Sequence, residues 1–384
     1  MVSAPDIGTK TAAQAEMFAH RLAKRQKHLR KWARRTGAGV YRLYDRDIPE
    51  IPLVLDRYDP ADSGQEPALA GALYERPYEK DPAEEKAWLT VMIQTAAKTL
   101  ALPEERIFLR VRSRGGPGRR GSPGFGNPAG FENPAASPDK GPLTMTVTEG
   151  GLRFGVNLNG SLDTGLFPDR RLLRSRIRQE AAGRRVLNLF AYTGSFSVYA
   201  AAGGAAGVDS VDLSAAYLDR ARRNFLLNGF AVKQKGTDSR NFPGTEFRRG
   251  TGADKAGGGS GSDKPAYRFI RTDALRFLEE AAGRRRWDLI ILDPPTFSNS
   301  KKMSGTLDIR RDHKELLERC LSLLEPEGVL YLSVNARHFR PEESALEERI
   351  PGLVMRSLTE AMRDEDFTGR SVPACYRISR KGFH

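Results

Sequence analysis

Two hydrophobic rhythms follow one another along this chain. Residues 13–35 set Phe18, Leu22, Leu29 and Trp32 at helical spacing. Lys24, Arg25, Lys27, Arg30, Lys31, Arg34 and Arg35 cover the rest of that surface, and Gly37 and Gly39 end the helix. Short runs with strand character follow at 40–44, 53–58 and 72–78. A helix is predicted over 83–100, with Pro82 at its start, and a strand over 107–112. Residues 114–142 are rich in Gly, Pro, Ser and Arg without periodicity, which predicts a mobile loop. The runs 143–147 and 152–158, separated by Glu149-Gly150-Gly151, predict a hairpin. From Arg170 the rhythm changes. Helices over 170–182, 195–202, 215–228, 274–281 and 308–324 alternate with strands over 186–190, 210–213, 267–272, 288–292 and 329–334. Such alternation folds into a mostly parallel, doubly wound α/β sheet. Residues 235–265, ending in a Gly- and Ser-rich run, read as a surface insertion in a crossover.

Composition narrows the class. The chain has 384 residues and a formal net charge of +14, enough length for two cores and enough charge to favour a polyanionic partner. An anionic membrane surface is the other partner such charge attracts, but the apolar stripe of the first helix is narrow for that role. No apolar stretch approaches a membrane span, and Met1 to Asp6 lack an apolar signal core. Cys320 and Cys375 are the only cysteines, so no disulfide framework and no metal-ligand spacing is expected. The chain reads as cytoplasmic, with no membrane or metal requirement. Arg114, Arg119 and Arg120 could touch phosphate, although an ordinary disordered loop explains them as well.

The chemistry collects at strand ends. The apolar run 287–292 ends in Asp293-Pro294-Pro295-Thr296-Phe297. The prolines fix φ and remove two backbone donors, leaving carbonyls to face a ligand. The carboxyl edge of a buried strand is where open α/β sheets bind ligands, and Phe297 offers a flat face for a base. The first strand of the alternating region runs through Asn188-Leu189-Phe190-Ala191-Tyr192-Thr193-Gly194-Ser195 into a helix, a cradle for a nucleotide-like ligand. Only Gly194 remains of a Gly-x-Gly-x-x-Gly pattern, which argues against a pyrophosphate. An amino-acid-bearing nucleoside such as S-adenosyl-L-methionine needs less. Asp212-Leu213 ends the next strand, where ribose hydroxyls are bound, while the competing Asp209 lies earlier. Asp273-Ala274 ends the third strand, a place for an acid that meets the adenine amino group. Singly, each acid serves as well for a helix cap. Asn188, Asp212, Asp273 and Asp293 at successive strand ends favour a site. Asp163-Thr164-Gly165-Leu166-Phe167-Pro168-Asp169 would lie over the cofactor as a lid, or form a turn with a helix cap.

Taken together, Asp163 to Phe167, Asn188 to Ser195 and Asp293 to Lys301 closely resemble the carboxyl-terminal half of the bifunctional 23S ribosomal RNA guanine methyltransferases, the RlmKL family. Arg311-Asp312-His313, Trp32 to Arg34 and Tyr41 to Asp45 are similar to that family too. The resemblance runs from about residue 16 to the carboxyl terminus, interrupted by the two Gly-rich insertions. It implies a Rossmann-like class I methyltransferase fold beside a smaller β-rich α+β domain, with S-adenosyl-L-methionine as cofactor and 23S ribosomal RNA as substrate. The implied activity is that of the family's carboxyl-terminal half, methylation of guanine N7. The family's amino-terminal half has no room here, so a stand-alone enzyme is implied. The expected organisation is a basic helix (1–37), a β-rich accessory domain that binds RNA (38–162) and a methyltransferase domain (163–384).

Guanine N7 carries a lone pair and no hydrogen, so positioning dominates and no general base is required. Asp293 and the Pro294 carbonyl would accept hydrogen bonds from the guanine, Pro295 would shape the turn, and Phe297 would stack on a flipped base. Lys301, Lys302, Arg310 and Arg311 could take phosphates. A cytosine-C5 enzyme is the closest rival, but it needs a cysteine nucleophile. Cys320 reads as a core position, Cys375 lies in the last strand, and the strand 329–334 ends in Ser333-Val334-Asn335-Ala336 without one. Guanine-N2 methylation and a non-catalytic RNA-binding assembly factor are the remaining alternatives.

Overall fold

A computed structural model describes residues 8–74, 76, 78, 80–113, 124–126, 143–159, 163–232, 265–298, 306–336 and 338–380, with backbone alone for 111–113 and 124–126. Nearly all of 114–142 and 235–265 lies outside the described residues, as do Met1 to Asp6, Arg114, Arg119, Arg120 and Asn299 to Lys302.

The basic helix forms as α1 (Thr9–Thr36), with Phe18, Leu22, Leu29 and Trp32 buried and Gly37 closing it in the left-handed conformation. It packs beside α2 (Pro82–Leu100), which Asp81 caps by accepting from Ala83 and Glu84 at 2.9 and 3.0 Å. Both cover one face of a five-stranded sheet ordered β1-β2-β3-β4-β5: β1 (Val40–Asp45), β2 (Leu53–Tyr58), β3 (Ala68–Tyr74), β4 (Ile107–Ser113) and β5 (Gly124–Gly126). The third strand falls earlier than the 72–78 expected from the pattern. Ala68, Ala70, Gly71 and Ala72 carry little intrinsic strand signal, yet β3 pairs with both β2 and β4. A Cβ at Gly71 would stand 1.9 Å from the Val54 carbonyl oxygen, so this close pairing needs glycine. β5 lies inside the stretch expected as a loop.

The predicted hairpin, β6 (Thr144–Glu149) and β7 (Leu152–Asn157), turns through Gly150 and Gly151, both at positive φ. Its Met145, Val147, Phe154 and Val156 share one core with Val40 and Phe108 on one side and Val186, Phe196 and Tyr199 on the other. The hairpin therefore cements the two sheets.

The larger sheet has seven strands in the order β10-β9-β8-β11-β14-β16-β15. They are β8 (Arg185–Leu189), β9 (Gly207–Asp212), β10 (Ala266–Arg271), β11 (Trp287–Leu292), β14 (Leu324–Val334), β15 (Leu353–Ser357) and β16 (Ala374–Arg380). The first five run parallel, and β16 slots antiparallel between β14 and β15. Helices α3 (Arg171–Glu180), α4 (Ser195–Ala202), α5 (Ala215–Leu227), α6 (Ala274–Ala281), α7 (Ile309–Ser322) and α8 (Glu343–Arg349) link them, and the short strands β12 (Phe297–Ser298) and β13 (Leu307–Asp308) pair beside β11. This is the expected Rossmann-like α/β fold. The chain order reverses at β8, so the crevice opens at the carboxyl ends of β8 and β11.

Candidate active site

A cavity of about 730 Å³ occupies that crevice. Phe190 and Tyr192 from the turn after β8, Asp212 and Leu213 after β9, Asp273 and Ala274 after β10, and Asp293 to Thr296 after β11 form its wall, with Ser195 at the start of α4. Asp163, Phe167 and Arg170 close it from the strap that precedes α3.

Asp212 is half-buried and accepts the Tyr192 and Ser214 amides, each at 2.8 Å. Burial pushes its carboxyl up, while the amides of Ser214, Tyr192 and Leu213 pull it down less strongly. Asp209, the competing acid, is buried against Arg268 at 2.7 Å and the Trp287 indole at 3.0 Å, away from the cavity. Asp212 lines the cavity and Asp209 does not. Asp273 both lines the cavity and caps α6, accepting from Leu275 and Arg276 at 3.0 and 3.1 Å. Cap and ligand wall are one residue here.

Asp293 has one spent and one unspent carboxylate oxygen. Its Oδ2 accepts from Arg170 Nε at 2.7 Å, while its buried Oδ1 has no hydrogen-bond partner. Arg170 also holds Asp169 through Nη1 at 2.9 and 3.0 Å and lies over the Phe167 ring, 5.3 Å from its centroid. Burial disfavours the Arg170 charge, but Asp169 and Asp293 more than offset this and hold it above the ordinary arginine range.

Several expected site residues stand behind the wall instead of on it. Asn188 is buried and gives its amide to Ser197 at 2.9 Å, because its side chain faces α4. Thr193 is buried and donates to the Gly165 carbonyl at 2.6 Å, tying the turn to the strap. Gly194 has φ +71, and a Cβ there would meet the Ala221 Cβ at 2.7 Å. Its need for glycine comes from packing against α5. Thr164 meets the Tyr58 hydroxyl at 2.9 Å and its carbonyl accepts from Arg220 at 2.6 Å. A Cβ on Gly165, at φ +118, would run into the Arg220 guanidinium. These residues position the strap, and Asp169 faces a second hollow. Phe297 corrects the stacking expectation. Thr296 and Ser298 line the cavity, whereas Phe297 between them is not among its lining residues.

Residues that sequence reasoning passed over include Arg170, Tyr217, Arg271 and Asn335. Arg170 was hidden as the first residue of a predicted helix, although it directly follows the strap motif. Tyr217 packs edge-on to Tyr192 with ring centroids 4.6 Å apart. Of the flanking residues, Arg311 pairs with Asp312, and His313 is buried against the Arg310 carbonyl at 3.0 Å. Both cysteines are buried. Burial pushes Cys320 far up, and burial followed by the Asp293 charge pushes Cys375 up to about 12.

Residues 138–255 match a family model described as S-adenosylmethionine-dependent methyltransferase. The ribosomal RNA large subunit methyltransferase K of Neisseria meningitidis serogroup B is 38% identical over 365 residues, 95% of this chain and 87% of that protein. The chain belongs to this methyltransferase family. A ribosomal RNA large subunit methyltransferase K/L from Methylococcus capsulatus is 39% identical over 97% of the chain, which spans 43% of that longer protein. A solved structure of a methyltransferase candidate complexed with SAH shares the fold, with a TM-score of 0.64 at 19% identity, covering 95% of this chain and 81% of that one.

S-adenosylmethionine is the cofactor of this family, and the cavity suits it. Four acids, Asp163, Asp212, Asp273 and Asp293, line a hollow suited to a cationic sulfonium, and Arg170 and Ser195 suit its carboxylate end. Asp212, Asp273 and Ala274 line the cavity at the ends of β9 and β10, where they could hold the ribose and adenine of a bound cofactor. No helix among the described residues is long and apolar enough to cross a membrane, and these residues hold no His/Cys/Asp/Glu group suited to a metal.

Proposed function

We propose that this chain, acting in the cytoplasm, methylates N7 of a guanine in 23S ribosomal RNA. The observation that carries the reading is the buried, unpartnered Oδ1 of Asp293 on the cavity wall, beside two proline residues that donate no backbone hydrogen. That oxygen is an acceptor without a donor, and a buried acceptor left so is costly. The Watson–Crick edge of guanine supplies the missing N–H. Holding that edge turns N7, on the opposite edge, towards the methyl donor. The names of the relatives support ribosomal RNA of the large subunit as the substrate.

Bound S-adenosylmethionine supplies an electrophilic methyl group on sulfur. The chain's own residues then position the acceptor in line with it. Arg170 holds one oxygen of Asp293 so that the other faces the base. Phe167, 37% exposed, is the phenylalanine on the cavity wall in place of Phe297, and with Arg170 over its ring and Tyr192 packed against it at 5.4 Å it offers the base an apolar edge. The ring becomes cationic as N7 is alkylated, so the hydrogen bond to the Asp293 carboxylate strengthens along the reaction. No proton leaves N7. The base must be unpaired or flipped to enter. The exposed cations Lys24, Lys27, Arg30, Lys31, Arg34 and Arg35 of α1 supply a sequence-independent hold on phosphates.

The test is methylation of ribosomal RNA from a strain lacking the modification, with digestion and mass spectrometry of the product nucleoside. The expected product is 7-methylguanosine. N2-methylguanosine would redirect the same acid to the exocyclic amine, and 5-methylcytidine would sink the reading.

A further inference from the structure

The strap from Asp163 to Arg170 separates two hollows. Behind it lies a smaller cavity of about 180 Å³, and methyl transfer as derived above makes no use of it. Its floor follows from strand alternation in the five-stranded sheet. Tyr41, Leu43, Leu55, Leu69, Leu73 and Leu109 face α1 and α2. Arg42, Asp56, Ala72, Tyr74, Phe108 and Arg110 therefore face the strap. Asp163 and Phe167 line both hollows. A chain of charges joins them: Asp169 on the smaller side, Arg170 between, 2.9 Å from it, and Asp293 on the larger side, 2.7 Å from Arg170.

The lining is mixed in a way that suits a nucleobase. Ala70 and Ala72 leave a small flat floor, and Tyr74 and Phe108 supply aromatic walls. Arg42, held by Asp56, and the Tyr58–Thr164 hydroxyl pair at 2.9 Å place donors and acceptors around them. We propose, on the basis of the RNA reading above, that this cavity binds the base of the nucleotide next to the target guanine. The RNA strand then straddles the strap, target base on one side and neighbour on the other. An enzyme that extrudes a base sets its sequence context through contacts to the flanking nucleotides. Here the Asp169–Arg170–Asp293 chain puts the neighbour's wall one arginine away from the acid that grips the target. The five-stranded sheet thereby becomes a specificity element for the methyltransferase sheet.

Filling the cavity tests this in the full chain. Ala72 is half-buried on β3 and touches neither the cofactor cavity nor Asp293, so Ala72→Phe blocks the hollow without altering the transfer machinery. Tyr74→Ala removes one wall and serves as the second variant. The probes are short RNAs carrying the target guanine with each of the four bases at the neighbouring position. In A72F the KM for RNA should rise about ten- to a hundredfold, as expected for loss of one stacked base. Preference among the four neighbours should flatten, while kcat and affinity for S-adenosylhomocysteine stay as in the wild type. Tyr74→Ala should shift both readouts the same way by less. Folded variants with wild-type KM and wild-type neighbour preference would overturn the proposal. Binding of the same RNAs, followed by fluorescence anisotropy with S-adenosylhomocysteine present, separates the two readings. Wild-type protein that binds but methylates no guanine removes the N7 function, while weaker binding by A72F still upholds the cavity and equal binding still refutes it.

Discussion

Arg170 and Arg171 are neighbours in sequence and opposites in role. Arg171 points into the junction between the sheets, where it meets Asp364 and Asp366 at 2.7 and 3.1 Å, and Glu149 at 3.4 Å. There every carboxylate oxygen is taken. Glu149 accepts from Arg174 at 2.7 and 2.8 Å and from the Tyr199 hydroxyl, and Asp366 accepts from Arg171 and the Arg42 amide. Arg170 points the other way and leaves one oxygen of Asp293 without a partner. A closed ion cluster holds a fold together, whereas an open one waits for a ligand. Burial alone does not distinguish them, since Arg170 and Arg171 are similarly enclosed. An unspent carboxylate oxygen does: the closed cluster also keeps a buried Arg171 Nε without a hydrogen-bond partner, but that is a donor 3.4 Å from Glu149 and not an open acceptor.

The sharpest way to break the comparison is to open the closed cluster. Glu149→Ala leaves Arg174, 1% exposed, without its carboxylate, and removing one partner of such a pair costs about 3–5 kcal/mol. The expected result is a large drop in the urea midpoint, with activity per folded molecule retained. Loss of turnover at unchanged stability would erase the distinction between the clusters. The matching change in the open cluster is Asp293→Ala. It should lower kcat about 10²- to 10³-fold, roughly 2.7–4 kcal/mol of transition-state stabilisation. Binding of S-adenosylhomocysteine, measured by calorimetry, should change little. Retained turnover in that variant would remove Asp293 from the mechanism.

Legibility in the sequence follows the same division. Strand-end acids could be read because helix and strand periods change at them, and Asp212 could be ranked above Asp209 by its place along β9 alone. Which way a side chain turns at a strand end could not be read. Asn188, one residue before the end of β8, faces α4 and pairs with Ser197, and Phe297 is absent from the wall between two residues that line it. Arg170 joins Asp293 across 123 positions, a partnership no local pattern carries. β3 was misplaced because its alanines and glycine owe their strand to pairing on both sides.

A smaller effect concerns Asp212, where burial raises the carboxyl. A raised carboxyl opposes folding at neutral pH, and that cost fades as pH falls through its folded pKa. Cofactor binding has the opposite sign, because protonation removes the charged acceptor for ribose. Affinity for S-adenosylhomocysteine should therefore decline on acidification from above the usual aspartate range. Asp212→Asn should weaken binding by about 2 kcal/mol at neutral pH, the scale of a hydrogen bond to a charged group, and should flatten the acid limb. An unchanged pH profile in that variant would separate Asp212 from the cofactor.

The smallest expected effect falls on the thiol nearest the open cluster. Cys375 pairs across β14 with Ser333 and is close enough to Asp293 for that charge to act on it. Proximity of this kind is what a carbon-methylating enzyme would need, since its thiolate must add to the pyrimidine ring. The electrostatics run against that use. Burial and the Asp293 carboxylate both favour the protonated thiol, so at neutral pH almost no nucleophile is present. Cys375→Ser keeps the shape and removes the nucleophile. Turnover on RNA should stay within about threefold of wild type, a barrier change under 1 kcal/mol. A folded Cys375→Ser protein that binds S-adenosylhomocysteine normally but transfers nothing would mean that the open cluster serves a thiol. Asp293 would then be a proton acceptor in a carbon methylation, and its free oxygen would no longer mark a guanine.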